Sequence, residues 1–126
     1  MRVYGIDHVQ LAIPPHSEDL ARMFYGEILG LSEQPKPEHL VQRGGVWFEQ
    51  GDLKLHLGVD WNFCPAQKAH PGLLVEDLDE LVRRCARSGY PVEIGEGFDR
   101  FRQVYVNDPF GNRIEFLEMS NYYKNE

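Results

Sequence analysis

Three imidazoles and one carboxylate are the residues of this sequence best suited to chemistry. His8 heads the run His-Val-Gln-Leu-Ala-Ile at 8–13, which alternates like a half-buried strand. Val9, Leu11 and Ile13 take one face and leave His8, Gln10 and Ala12 on the other. His56 sits in a second alternating run, with Lys54 and Gly58 opposite Leu53, Leu55 and Leu57. His70 has the opposite parity to Leu73 and Val75, and Glu115 lies between Ile114 and Phe116. If the aliphatic faces pack under helices, all four polar side chains point away from them. Three neutral imidazoles and a carboxylate suit one divalent ion: zinc, nickel, manganese or ferrous iron. Softness argues against calcium, and the lack of clustered thiolates argues against a structural zinc centre. On a six-coordinate metal these four ligands leave two positions for water or for adjacent substrate oxygens, where a carbonyl would be polarised or an enolate stabilised. Singly, each residue has a plainer reading as a core or surface histidine or a solvated glutamate. His16 and His39 fall in loop or short-helix positions and receive no role.

The elements that must position these groups repeat. After Pro14-Pro15, Ser17 is a candidate helix cap, with Glu18 and Asp19 in the first turn. Leu20, Phe24, Ile28 and Leu31 recur at helical spacing, and Gly30 is a natural stop. Residues 32–37 allow only a brief strand, and 37–43 one or two helical turns. Strands are expected at 46–50 and 53–59 around Gly51-Asp52. Beyond a loop at 60–67 the order begins again with a strand at 70–75. Asp77 and Glu80 resemble a capping box, and Leu78, Leu81, Val82 and Cys85 form one helical face ended by Gly89. Strands follow at 91–94, 103–106 and 113–117, the last two joined by Asn-Asp-Pro-Phe-Gly-Asn at 107–112. The pairs His8/His70, Ser17/Asp77, Gly30/Gly89 and His56/Glu115 are 62, 60, 59 and 59 residues apart. A β-α-β-β-β order used twice is too short for a solenoid, so a paired α+β architecture follows, with helices on the outside. We expect one domain over 1–126, made of modules at about 1–62 and 66–119.

The bulk composition excludes several functions. At 126 residues, 42% hydrophobic and 26% charged, the chain supports one ordinary domain. A net charge of -7 without any basic run excludes a nucleic-acid partner as an expectation. No apolar run approaches the roughly 18 residues of a membrane span. The first residues lack the apolar core of a signal peptide, so the expected location is cytoplasmic. Cys64 and Cys85 make no paired metal motif and are read as free thiols, with Cys85 packed on a helix face.

The segments Ile6-Asp7-His8-Val9, Phe24-Tyr25-Gly26-Glu27-Ile28-Leu29-Gly30-Leu31, Ala69-His70-Pro71 and Asn107 through Phe116 together make a further reading available. In them the chain resembles the vicinal-oxygen-chelate superfamily of glyoxalases, bleomycin and fosfomycin resistance proteins, and extradiol dioxygenases. The resemblance implies a cupped eight-stranded mixed sheet built from two βαβββ modules. It also implies a homodimer with metal sites at the interface. His8, His70 and Glu115 match ligand positions of resistance enzymes and dioxygenases. His56 falls where glyoxalase I has a glutamate that also serves as base, which argues against glyoxalase I chemistry. Strand parity turns Gln10 and Tyr105 toward the cavity, with Trp47 lining it. Arg43, Arg100 and Arg102 near its mouth are candidates for an anionic substrate, the alternative being solvated loop cations.

The first functional reading is a metal-dependent lyase, isomerase or thiol transferase acting on a small molecule with adjacent oxygens. A catalytic base is not identified, with His56 and a metal-bound water as candidates. The second is a ferrous extradiol-type dioxygenase, with His8, His70 and Glu115 as its facial triad. The third is a non-catalytic drug-binding resistance protein.

Overall fold

The computed structural model describes residues 1–120. Its chain divides into two units, Met1–Cys64 and Pro65–Glu126. In the first, β1 (Val9–Ile13), β2 (Ser32–Gln34), β3 (Val46–Gln50) and β4 (Leu53–Val59) form a sheet of order β1-β4-β3-β2. In the second, β5 (Gly72–Leu74), β6 (Val92–Ile94), β7 (Phe101–Asn107) and β8 (Arg113–Met119) form a sheet of order β5-β8-β7-β6. The two orders are the same: the first strand pairs parallel with the last, and the rest are antiparallel. The α+β class and the eight strands are those expected, hydrogen-bonded as two four-stranded mixed sheets.

Each unit buries one face of its sheet under a helix. In the first unit α1 (Glu18–Ala21) passes without a break into a π-helical stretch, Arg22–Ile28. There the Leu29 amide reaches back five residues to the Phe24 carbonyl. The wider turn changes which residues face inward. Ala21, Phe24 and Tyr25 are fully buried, whereas Leu20, expected inside from a 3.6-residue period, is half exposed. They pack with Ile13, Val46, Phe48, Leu55 and Leu57, all nearly inaccessible to water. Ser17 does not cap this helix; its hydroxyl donates to the Pro14 carbonyl instead. A 3-10 helix at Glu38–Arg43 lies where one or two turns were expected.

In the second unit α2 (Leu78–Arg87) buries Leu78, Leu81 and Cys85. Asp77 caps it by accepting from the Glu80 amide at 3.0 Å. The reciprocal half of the expected capping box is missing, because the Glu80 carboxylate is taken by Arg83 and Arg84. Gly30 and Gly89 follow their helices at φ values of 79° and 81°, the left-handed geometry that favours glycine. Neither Cys64 nor Cys85 is joined in a disulfide. No helix among the described residues is long and apolar enough to cross a membrane.

Two hairpins set the register of the polar faces. Across Gly51-Asp52, Trp47 pairs with His56. Across the turn after β7, Tyr105 pairs with Glu115. The second turn is held by the buried Asp108 carboxylate. It accepts from the amides of Phe110 at 2.9 Å and Asn112 at 2.8 Å, and from the Asn112 side chain at 2.9 Å.

Candidate functional site

In the first unit His8 immediately precedes β1 and His56 is buried at the centre of β4. Their imidazoles stack with ring centroids 4.4 Å apart. The Trp47 indole lies parallel on His56, 3.9 Å away and tilted by 3°. Burial, and next the neighbouring His8, lower the pKa of His56 below the ordinary 6.5. A neutral imidazole is the form that ligates metals. His8 Nδ1 lies 2.9 Å from Asp7 Oδ2. The Asp7 carboxyl is held below its ordinary range chiefly by this hydrogen bond and then by Lys54. A carboxylate only accepts, so Nδ1 carries a proton, and in the neutral ring Nε2 keeps its lone pair.

The second unit repeats this logic with different groups. His70 lies two residues before β5, and its Nδ1 is 2.8 Å from the Lys68 carbonyl oxygen. That oxygen can only accept, so Nδ1 is again the donor. His70 Nε2 is 3.1 Å from Glu115 Oε1. Two acceptors this close are compatible only with a proton or a metal ion shared between them. The second Glu115 oxygen accepts from the Gln103 amide at 3.2 Å. Gln103 is itself fixed, because its carbonyl oxygen accepts from the Gly97 amide at 3.0 Å. Its side chain also crosses Gly95 so closely that a Cβ there would stand 2.5 Å from Gln103 Cγ. Tyr105 meets His70 edge-on at 5.8 Å, and the Arg113 guanidinium covers its ring at 3.9 Å.

The four candidate ligands therefore stand as two pairs, His8 with His56 and His70 with Glu115. Among the described residues no three His, Cys, Asp or Glu side chains stand together as a metal cage. The donor types nevertheless suit a divalent metal. Both outer histidines present Nε2 with Nδ1–H tied to an oxygen, the usual outer support of a metal-bound imidazole.

Of the pocket residues, Gln10, Trp47 and Arg43 line one cavity of about 170 Å³, with Lys36, Leu40, Gly58 and others. Gln10 crosses Gly58, where a Cβ would meet its amide at 2.6 Å. Arg102 stands apart from these residues. It has the opposite parity to Gln103 and Tyr105 on β7, and its guanidinium is bound to Asp79 at 2.9 Å and Glu118 at 3.3 Å. Buried Glu118 also accepts from the Leu78 amide at the start of α2, so this cluster belongs to the helix side of the sheet. Arg102 joins strand to helix there. Sequence reasoning missed Asp7, Gln103 and Lys36. The first adjoins His8, the second shares the face of Tyr105 two residues on, and the third carries no periodic signal between Pro35 and Pro37.

The model of the Glyoxalase/Bleomycin resistance protein/Dioxygenase superfamily matches residues 5–116. The chain belongs to that superfamily. A solved glyoxalase family protein from Bacillus anthracis is 48% identical, with 95% of this chain and 100% of that one covered and a TM-score of 0.89. A lactoylglutathione lyase from Agrobacterium tumefaciens is 26% identical over 93% of this chain and 95% of that one, with a TM-score of 0.69. An antibiotic binding protein from Streptomyces sp. CB03234 shares the fold at 24% identity and a TM-score of 0.71, with 95% and 99% covered. No curated protein sequence matches the chain significantly.

Proposed function

We propose that this chain is a metal-dependent enzyme, of lyase, isomerase or thiol-transferase type, for a small molecule with adjacent oxygens. His8, His56, His70 and Glu115 are its ligands to one divalent ion per site, and the active species is a homodimer. The observation that carries the reading is the contact of His70 Nε2 with Glu115 Oε1 at 3.1 Å, which places an imidazole nitrogen and a carboxylate oxygen where they can share a proton or a metal ion. A bound divalent ion would supply Lewis acidity toward a carbonyl or epoxide oxygen. The protein's own groups prepare for that role. The Lys68 carbonyl and the Asp7 carboxylate fix the tautomers of His70 and His8. Gln103 orients Glu115 through its second oxygen, and Trp47 covers one face of His56.

The test is the metal content of the purified protein, and of stripped protein offered zinc, nickel, manganese and ferrous iron in turn. His70→Ala and Glu115→Ala serve as controls. About one ion per chain, lost in both variants, with turnover of a hemithioacetal or an epoxide, is the expected result. Oxygen uptake on catechols by the iron form would replace this reading with the dioxygenase. A wild type that takes up no metal would leave the non-catalytic binder.

A further inference from the structure

We infer that the cavity beside Trp47 is an anion subsite, in which Lys36 and Arg43 hold the carboxylate or phosphonate head of the small-molecule ligand. This rests on the proposed function in taking the chain to act on a small molecule, and it names that molecule's charge. Three observations within the first unit carry it.

The first is the placing of two cations at one cavity. Lys36 precedes the 3-10 helix and Arg43 ends it, so the turn brings both to the same 170 Å³ space. The second is that Lys36 is compensated only in part, by Glu18. Its ammonium donates to the Gly44 carbonyl, an uncharged partner. Burial is the largest influence on it and lowers its pKa below the ordinary 10.5; Glu18 opposes the shift and Arg43 adds to it. A ligand anion would return the counter-charge that desolvation and Arg43 make valuable.

The third is the rest of the lining. Trp47 and Leu40 offer apolar surface, and the Gln10 amide offers one donor and one acceptor group. A cavity of about 150 Å³ is known to admit benzene, so this space takes a head group and a few carbons. Gln10, Gly58 and Val59 also border a groove of about 560 Å³ that reaches Trp61, where the remainder of a longer ligand would lie.

The probes are benzoate and phenylphosphonate, with benzamide as the uncharged control. Trp61→Phe leaves Trp47 as the single tryptophan, whose fluorescence reports on the cavity. The protein is stripped of metal and dialysed free of chelator, so failure to bind metal and failure to bind an anion are read separately. Saturable quenching is expected from at least one anion, weakened about tenfold or more in Lys36→Met and again in Arg43→Met. Benzamide should bind at least tenfold more weakly than benzoate. The stronger of the two anions identifies the head group. The inference is overturned if neither anion gives saturable quenching, if both variants keep wild-type affinity, or if benzamide matches benzoate. Unchanged thermal unfolding of both variants confirms that each reports on charge.

Discussion

Glu115→Gln separates a metal half-site from an ordinary ion pair. In the wild type, Oε1 faces His70 Nε2 at 3.1 Å while Oε2 accepts from Gln103 at 3.2 Å. The side chains of His70 and Glu115 are only 29% and 11% exposed, so water compensates poorly. Without a shared proton or cation, such opposed acceptors cost about 1–3 kcal/mol. The amide introduced by Glu115→Gln would resolve the conflict: its oxygen keeps the Gln103 bond and its NH₂ donates to Nε2. Metal-free Glu115→Gln should therefore equal or exceed the wild type by up to about 1.5 kcal/mol at pH 8. For a chain of this size that is a rise in Tm of up to about 6 °C. A metal at about 100 times its Kd should stabilise the wild type by about 2.7 kcal/mol. A variant binding at least about 100-fold more weakly gains only about 0.4 kcal/mol. The order of stability thus inverts when metal is added. Thermal melts of both proteins, metal-stripped and metal-supplemented, read this directly. A stripped variant more than about 1 kcal/mol below the wild type would make the pair a structural ion pair. Equal gains from metal in both proteins would remove Glu115 from the ligand set.

Other consequences are as specific. The lowered pKa of His56 means that the unfolded chain takes up a proton first as pH falls. Stability of metal-free protein should thus decline as pH drops below about 6.5 and level off below the folded value, with a shallower decline in His56→Asn. An NMR titration of the His56 ring with a midpoint at or above 6.5 would contradict this. Gly95→Ala pushes a Cβ against Gln103 and should weaken metal binding about 10–100-fold by loosening Glu115. Calorimetric titration with metal checks it, and unchanged affinity would deny Gln103 its orienting role. Asp77→Ala should cost about 1 kcal/mol through the lost helix cap. Glu118→Ala should cost more, about 1.5–3 kcal/mol, since its buried carboxylate serves both Arg102 and the Leu78 amide. Urea denaturation ranks the two, and the reverse order would refute the assignment.

Strand parity made most of the fold legible. Alternation in β1, β4 and β8 sorted Val9, Leu55 and Ile114 from the candidate ligands, and a period of two is hard to misread. The first helix was harder, because one π-helical stretch shifts the inward face toward Tyr25 and no composition signal marks such a widening. Arg102 was within reach of the same parity argument. It alternates away from Gln103, toward Asp79 and Glu118. Gln103 and Asp7 act on the ligands rather than as ligands, so residue type alone did not single them out. Lys36 gains its meaning only from the turn that brings it beside Arg43.

The two hairpins also bear on how this chain tolerates change in length. Trp47 meets His56, and Tyr105 meets Glu115, only because each turn holds its present count of residues. A slip of one position in β8 would carry Glu115 under α2 and put Phe116 in its place among the polar groups. Insertions of a single residue within 51–52 or 108–112 should therefore be far more damaging than comparable insertions in the loop at 60–67. The Asp108 network thereby acts as a length gauge for the turn between β7 and β8.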